Sequence, residues 1–175
     1  MLGSMVLKVL QRQTEWEVRG TQSEDPAGAG YFRVEQGVGA LKLLGAFDYV
    51  INCIGITAKN INSNDPLSVA RAILVNEKFP KLLAEYGGNN GIKIIHMSTD
   101  GVFSGSTGPY DESSLKDCAD IYGTTKSHGE VEAQNVINIR TSIIGPSPVK
   151  KEGLWAWILA ERDNSTINGY TNHIW

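Results

Sequence analysis

Tyr122 and Lys126, in the run Tyr122-Gly-Thr-Thr-Lys126, are the residues of this 175-residue chain whose types and spacing point most directly to chemistry. Four residues is just over one helical turn, so on a helix the phenol and the ammonium share a face, where the positive charge favours ionisation of the phenol. A tyrosine with a lowered pKa passes a proton to or from a carbonyl or alcohol oxygen near neutral pH. The same spacing also occurs on ordinary helix surfaces, so its neighbours decide its meaning. Upstream, the apolar stretch Ile92-Lys-Ile-Ile-His-Met97 runs into the hydroxyls of Ser98 and Thr99, then Asp100 and a glycine-containing loop. Carbonyl reduction needs a hydride donor over one face of the carbon, a hydrogen-bond donor on the oxygen and a proton source. Tyr122, Lys126 and Thr99 are the candidates for the protein's share.

The elements that must position these groups alternate. Residues 15–21, 31–35, 48–56, 92–98 and 136–142 read as strands, apolar or β-branched and bounded by turn formers. Residues 1–13 carry Leu2, Met5, Val6, Val9 and Leu10 at helical spacing, and 38–44 is a short second candidate. Asp65 caps a long helix with Pro66 in its first turn, closing at Gly87-Gly88, and Pro80 is expected to kink it because its nitrogen has no hydrogen to donate. This alternation predicts an α/β fold with a doubly wound, mostly parallel sheet. Ligands bind such sheets beyond the carboxyl ends of the strands, where Ser98, Thr99 and the loop after Ile54 would lie.

Composition bounds the rest. With 41% hydrophobic residues and a net charge of −3, the chain can form an ordinary globular core and has no surplus of positive charge for nucleic acid. No apolar run reaches a membrane span and no signal-like segment opens the chain, so a cytoplasmic protein is expected. Cys53 and Cys118 form no CxxC and have no histidine at ligand spacing, while His96, His128 and His173 are scattered, so no metal site is expected.

Four segments occur in a fixed order: Ser98-Thr99-Asp100-Gly-Val-Phe-Ser-Gly105, Gly108-Pro-Tyr-Asp-Glu112, Tyr122-Gly-Thr-Thr-Lys126 with Gly129-Glu130, and Arg140-Thr-Ser142. In that order they resemble the dTDP-4-dehydrorhamnose reductase group of the extended short-chain dehydrogenase/reductase superfamily, over most of the chain. The resemblance implies a Rossmann-like NAD(P)-binding domain over residues 1–145, incomplete at its amino end, and the start of a sugar-nucleotide substrate lobe over 146–175. Gly3 would match the last glycine of the phosphate-loop fingerprint, with Met1 and Leu2 just before it, so the first strand and most of the glycine loop are expected to be missing.

The same resemblance implies roles. Tyr122 would be the proton donor, Lys126 would lower its pKa and hold the nicotinamide ribose, and Thr99 would orient the substrate oxygen. Gly55, Ile56 and Thr57 would pass beside the cofactor, Glu35 would accept from adenine, and Met97 would line the nicotinamide side. Asp100 is a sugar-hydroxyl acceptor or a turn former. Gly101 stands where dehydratases of this superfamily place a glutamate and where rhamnose-type reductases place a tyrosine, and Ile143 where they place a tryptophan, so the exact substrate is open. Asn76 supports the active-site loop or faces water. Trp155, Trp157, Trp175 and Tyr170 are candidates for ring stacking, for core packing or for a subunit contact in a homodimer.

Arg19, near the end of the strand expected over 15–21, in the run Val18-Arg19-Gly-Thr-Gln-Ser23 that holds no carboxylate, leans the cofactor toward NADP rather than NAD. The implied function is reduction of a keto sugar nucleotide in surface polysaccharide or deoxysugar synthesis. Two alternatives share the motifs: a sugar-nucleotide epimerase, and a non-catalytic relative resembling the regulatory subunit of methionine adenosyltransferase.

Overall fold

The computed structural model describes residues 2–28, 30–145, 153–163 and 166. Its centre is a parallel sheet of three strands in chain order, β1 (Tyr49–Asn52), β2 (Lys93–Ser98) and β3 (Val136–Arg140). The register aligns Val50, Ile94 and Val136 in one crosswise row, Ile51, Ile95 and Ile137 in the next, and Asn52, His96 and Asn138 in a third. Strand side chains alternate between faces, so the first and third rows share a face. That face is the buried one: Ile94 is 2% exposed and His96 1%, whereas Ile137 on the opposite face is 62% exposed.

Helices cover the buried face. Asp65 caps α2 (Pro66–Ala72), its carboxylate accepting from Leu67 N at 3.0 Å with Pro66 in the first turn. The run continues through a π-helical stretch, Ile73–Lys78, into α3 (Phe79–Asn90). The disruption expected at Pro80 takes this form: a widened turn, in which Phe79 N donates to Leu74 O five residues back, stands ahead of the proline. Gly91 ends α3 in the left-handed conformation at φ 72°, three residues beyond the expected close. Asp120 caps α4 (Ile121–Gly129) by accepting from Gly123 N at 2.9 Å. At the ends of the chain lie α1 (Leu2–Gln13) and α5 (Leu154–Glu161).

Two expected strands are absent. Residues 15–21 form none, and of 31–35 there remains a single bridge between Gln22 and Tyr31 followed by a 3-10 turn at Val34–Gln36. A strand needs a partner along its length, and the polar side chains of 15–21 instead stay at the surface, where Glu17 pairs with Arg19. Val38–Leu44 is a 3-10 helix rather than an α-helix. β1 is shorter than its apolar run because Asn52 Oδ1 accepts from Ile54 N at 3.1 Å, turning the chain just past the strand.

The irregular segment still supplies the core. Phe32, Val34 and Leu41 pack with Val75, Phe79, Leu83, Ile92 and Ile94, and the rings of Phe32 and Phe79 meet at 5.8 Å. Each such side chain contributes about 1.5–3 kcal/mol on burial. This core fixes α3 against β2, and hence the carboxyl ends of the strands against α4.

Candidate active site

β2 delivers Thr99 immediately past Ser98, and there Thr99 opens a 3-10 turn over Asp100–Val102. Its Oγ1 accepts from Gly101 N at 3.1 Å and donates to Asp100 Oδ1 at 3.2 Å. Tyr122 occupies the first turn of α4, on the other side of Gly101. A Cβ on residue 101 would stand 3.4 Å from Thr99 Oγ1 and 3.5 Å from Tyr122 Cε1, so hydroxyl and phenol ring face each other across that glycine. Glycine at this position leaves the space between them open.

Lys126 follows one turn later, buried, with Nζ donating to Met97 O at 2.7 Å. The same Nζ is 4.0 Å from where a Cβ on Gly55 would stand. Two sets of contacts thus lie past the carboxyl ends of the strands: Thr99 and Tyr122 about Gly101, and Lys126 with Met97 O and Gly55, the two sets linked by the turn of α4 between Tyr122 and Lys126. Burial pulls the Lys126 ammonium down to about 8, against the opposing pull of Glu130 and Cys53.

The loop after β1 is held by Asn76, which is fully buried in the π-helical stretch. Its Oδ1 accepts from Ile56 N at 2.8 Å and its Nδ2 donates to Ile56 O at 2.9 Å and to Thr125 Oγ1 at 3.3 Å. Of the two readings open for Asn76, support of the loop is the one realised. π-helical turns are frequent at functional sites, and this one places a carboxamide between the groove wall and α4.

Two buried polar clusters behind the site were not read from the sequence. Glu130 accepts from Ser98 Oγ at 2.5 Å and from Arg140 through Nε at 3.0 Å and Nη2 at 2.8 Å, and lies 3.3 Å from Lys116 Nζ. Burial pushes its carboxyl up, but the Arg140 and Ser98 hydrogen bonds outweigh this and hold it below its ordinary value. Arg140 also lies 5.0 Å over the Phe103 ring, which stacks on Tyr110 at 4.5 Å. Deeper in the sheet, Asn52 Nδ2 and His96 Nδ1 are 3.1 Å apart, which makes Nδ1 the acceptor and leaves the ring proton on Nε2. Burial first, then the Lys126 charge, lowers the His96 pKa to about 4, so the ring is neutral. Gly129-Glu130 and Arg140 were visible as motif residues, but only the fold brings them into contact.

A groove runs along one side of this site. One cavity of about 280 Å³ is lined by residues that include Thr21, Ser23, Arg33, Glu35, Ile56 and Arg71. A second, of about 600 Å³, shares Gly55, Ile56 and Arg71 with it. Gly55 is thus the point at which the groove meets Lys126. Of the other expected cofactor residues, Thr57 is exposed and lies outside both linings, and Leu2 and Gly3 sit in the first turn of α1, where a Cβ on Gly3 would be 3.4 Å from Cys53 Cβ. Met1 lies outside the described residues.

Arg19 does not reach the groove. Its guanidinium bonds Glu17 and donates to Leu44 O at 2.9 Å, so the lean toward NADP drawn from it is not supported. Asp100 and Ile143 are both exposed, and neither lines either of these two cavities. Trp155 and Trp157 stand on α5, each more than two-fifths exposed, while Tyr170 and Trp175 lie outside the described residues. Among the described residues no group of three or more His, Cys, Asp or Glu side chains could hold a metal, and no helix is long and apolar enough to cross a membrane.

The family described as RmlD substrate binding domain matches residues 1–147. The chain belongs to that family. A dTDP-4-dehydrorhamnose reductase from Streptomyces griseus is 38% identical over 128 residues, which is 67% of this chain and 40% of that protein. This RmlD-family chain therefore spans about two-fifths of the length of that relative. Among solved structures, a hypothetical dTDP-4-dehydrorhamnose reductase from Sulfolobus tokodaii is similar with a TM-score of 0.62 and 23% identity, covering 79% of this chain and 51% of that one. A short-chain dehydrogenase/reductase superfamily protein from Agrobacterium tumefaciens, solved with bound NAD, is similar with a TM-score of 0.63 and 18% identity, covering 80% and 45%. These two likenesses show the fold: a Rossmann-like α/β arrangement with a parallel sheet.

Proposed function

We propose that this RmlD-family chain carries the dinucleotide groove and the reacting side chains of an NAD(P)-dependent reductase acting on a keto sugar nucleotide of the dTDP-4-dehydrorhamnose type, in the cytoplasmic synthesis of surface polysaccharide or deoxysugars. The observation that carries this reading is the Thr99 hydroxyl and the Tyr122 ring set on either side of Gly101, with the Lys126 ammonium one turn further along α4 beside Gly55, at the carboxyl end of a parallel sheet.

A dinucleotide fits the groove on one observation in particular. Gly55 is exposed, borders both cavities and leaves ordinary contact distance to Asn76 Oδ1 and Lys126 Nζ, so packing does not demand a glycine there, whereas a side chain would project into the groove. When bound, a nicotinamide supplies the hydride, two electrons and a proton's mass delivered to carbon. Tyr122 donates its phenolic proton to the carbonyl oxygen as charge develops there. Thr99 turns its hydroxyl from Asp100 to the same oxygen and fixes its direction. Lys126, held in place by Met97 O, lies one turn from the phenol and stabilises the phenolate left behind. With its pKa near 8, the ammonium is still charged at pH 7.

The experiment is nicotinamide oxidation on mixing with dTDP-4-dehydrorhamnose, with Tyr122→Phe alongside. The reductase reading expects turnover that falls about 10²-fold or more in Tyr122→Phe while dinucleotide affinity is kept. Equal turnover in the variant, or tight partner binding with no turnover on any keto sugar nucleotide, overturns it.

A further inference from the structure

Between Val102 and Cys118 the chain makes a loop with neither helix nor strand and no buried residue, yet it joins the two parts of the candidate active site. It leaves from the turn that carries Thr99 and Gly101 and returns to the helix that carries Tyr122. Cys118 N donates to Val102 O at 3.2 Å and closes its neck. A Cβ on Gly123, the residue after Tyr122, would overlap Gly101 O and stand 2.8 Å from Cys118 Cβ, so the first turn of α4 rests on both sides of that neck. A shift of the loop is thereby a shift of the phenol against the hydroxyl.

With no side chain buried, the order of such a loop has to come from specific contacts. Phe103 stacks on Tyr110 at 4.5 Å, Tyr110 Oη accepts from Thr107 N at 3.0 Å, and Ser104 N and Oγ each donate to Asp117 at 2.7 Å. Among the described residues, the loop's polar and ring contacts with the helix and strand behind it run to one pair, Glu130 and Arg140. The guanidinium lies 5.0 Å over the Phe103 ring and its Nη1 donates to Glu112 O at 3.3 Å, while Lys116 Nζ reaches Glu130. Glu130 in turn holds Arg140 through two nitrogens and accepts from Ser98, the residue before Thr99.

We propose that Arg140, oriented by Glu130, is a positioning residue: it fixes residues 103–117 between Thr99 and Tyr122 and so sets the spacing of hydroxyl and phenol about Gly101. This rests on the reading of Thr99 and Tyr122 as groups that act on the carbonyl. The task suits an arginine. A planar guanidinium forks onto a carboxylate and stacks on a ring at the same time, whereas a lysine keeps the charge and loses both geometries. Arg140→Lys therefore leaves Glu130 compensated and releases the loop.

The test compares the full chain with Arg140→Lys and Phe103→Leu. Phe103→Leu leaves the Glu130 pair intact, so an effect shared by both variants does not come from a disturbed charge cluster. Chymotrypsin cleavage after Tyr110 should be about tenfold faster in each, since cutting follows the population of the opened loop. The Thr99 methyl reports the spacing. Thr99 Cγ2 and Tyr122 Cε1 stand 3.6 Å and 3.5 Å from one point, the Cβ position of residue 101, so the field of the phenol ring falls on that methyl. In threonine-methyl NMR its signal, assigned by Thr99→Ser, should shift in both variants while that of Thr14, past the end of α1, stays. On a keto sugar nucleotide, kcat should fall about tenfold or more at unchanged dinucleotide KM, because the groove borders Gly55 and not the loop. Cleavage, Thr99 signal or kcat unchanged in either variant overturns the inference and leaves the reductase reading standing. A parent with no turnover on any keto sugar nucleotide fails the reductase reading and the role of Arg140 in the reaction with it, and the cleavage and methyl signals then decide the placement alone.

Discussion

Asn76 and Ile56 form a two-way pair: the backbone N–H of Ile56 donates to the carboxamide oxygen at 2.8 Å, and the carboxamide nitrogen donates back to Ile56 O at 2.9 Å. One buried side chain thus satisfies both polar groups of a loop residue that borders the groove. Asn76→Ala should leave both groups without a protein partner and lower stability by about 2–3 kcal/mol, read from denaturant midpoints. The same variant should weaken dinucleotide binding, because the loop loses both of its bonds to the carboxamide, whereas α4 loses only the 3.3 Å bond to Thr125 Oγ1. A variant as stable as the parent would show that water replaces the carboxamide.

His96 makes the protein sensitive to mild acid. Its pKa falls from an ordinary 6.5 to about 4 in the folded chain, so between these values the unfolded chain takes up a proton that the folded chain refuses. Stability should therefore decline as pH drops from 6.5 toward 4, by up to about 3 kcal/mol from this residue. The comparison of parent and His96→Gln by urea denaturation at pH 7 and pH 4.5 isolates the effect. The gap between the two proteins should narrow in acid, and a constant gap would count against a neutral buried ring.

The Glu130 cluster should respond asymmetrically to its two ends. Glu130→Ala leaves the Arg140 guanidinium, itself only 22% exposed, without its bidentate partner and should cost about 3–5 kcal/mol. Lys116→Ala removes a partner at 3.3 Å that is more exposed and should cost under about 1 kcal/mol. Thermal melts of the two variants side by side check the ranking.

Two glycines in helices make opposite demands. A Cβ on Gly129 would overlap Asn76 O outright, a backbone atom that cannot swing away, so Gly129→Ala should destabilise by several kcal/mol by forcing α4 off the π-helical stretch. Gly88, in α3, has nothing closer than 3.8 Å to such a Cβ. There Gly88→Ala should stabilise by about 0.5–1 kcal/mol through helix propensity. Folding free energies of the pair settle both claims.

What could be read from the chain alone was local. The spacing of Tyr122 and Lys126, the apolar run into Ser98 and the cap at Asp65 are each decided within a turn or a strand, and the fold realises them as α4, β2 and α2. Residues 15–21 looked like a strand because their pattern fits one, but pairing is a property of two segments and only the bridge from Gln22 to Tyr31 forms. The Asn52–His96 contact depends on the register of β1 against β2, and the bond from Glu130 to Arg140 joins the end of α4 to β3, so neither leaves a mark in local periodicity. Arg33 and Arg71 come from a 3-10 approach and from α2, and nothing but tertiary packing puts both beside Glu35.

The widened turn at Ile73–Lys78 makes this stretch a counted length rather than a spacer. A π turn holds more residues than an α turn, so removing one residue here would close the widened turn to regular winding and change the direction in which its own side chain and carbonyl groups project. Asn76 would then be carried off Ile56, and the carbonyl now resting on Gly129 would turn elsewhere. Side-chain exchanges across the stretch are graded in their effects, whereas a change in residue number acts on every contact at once.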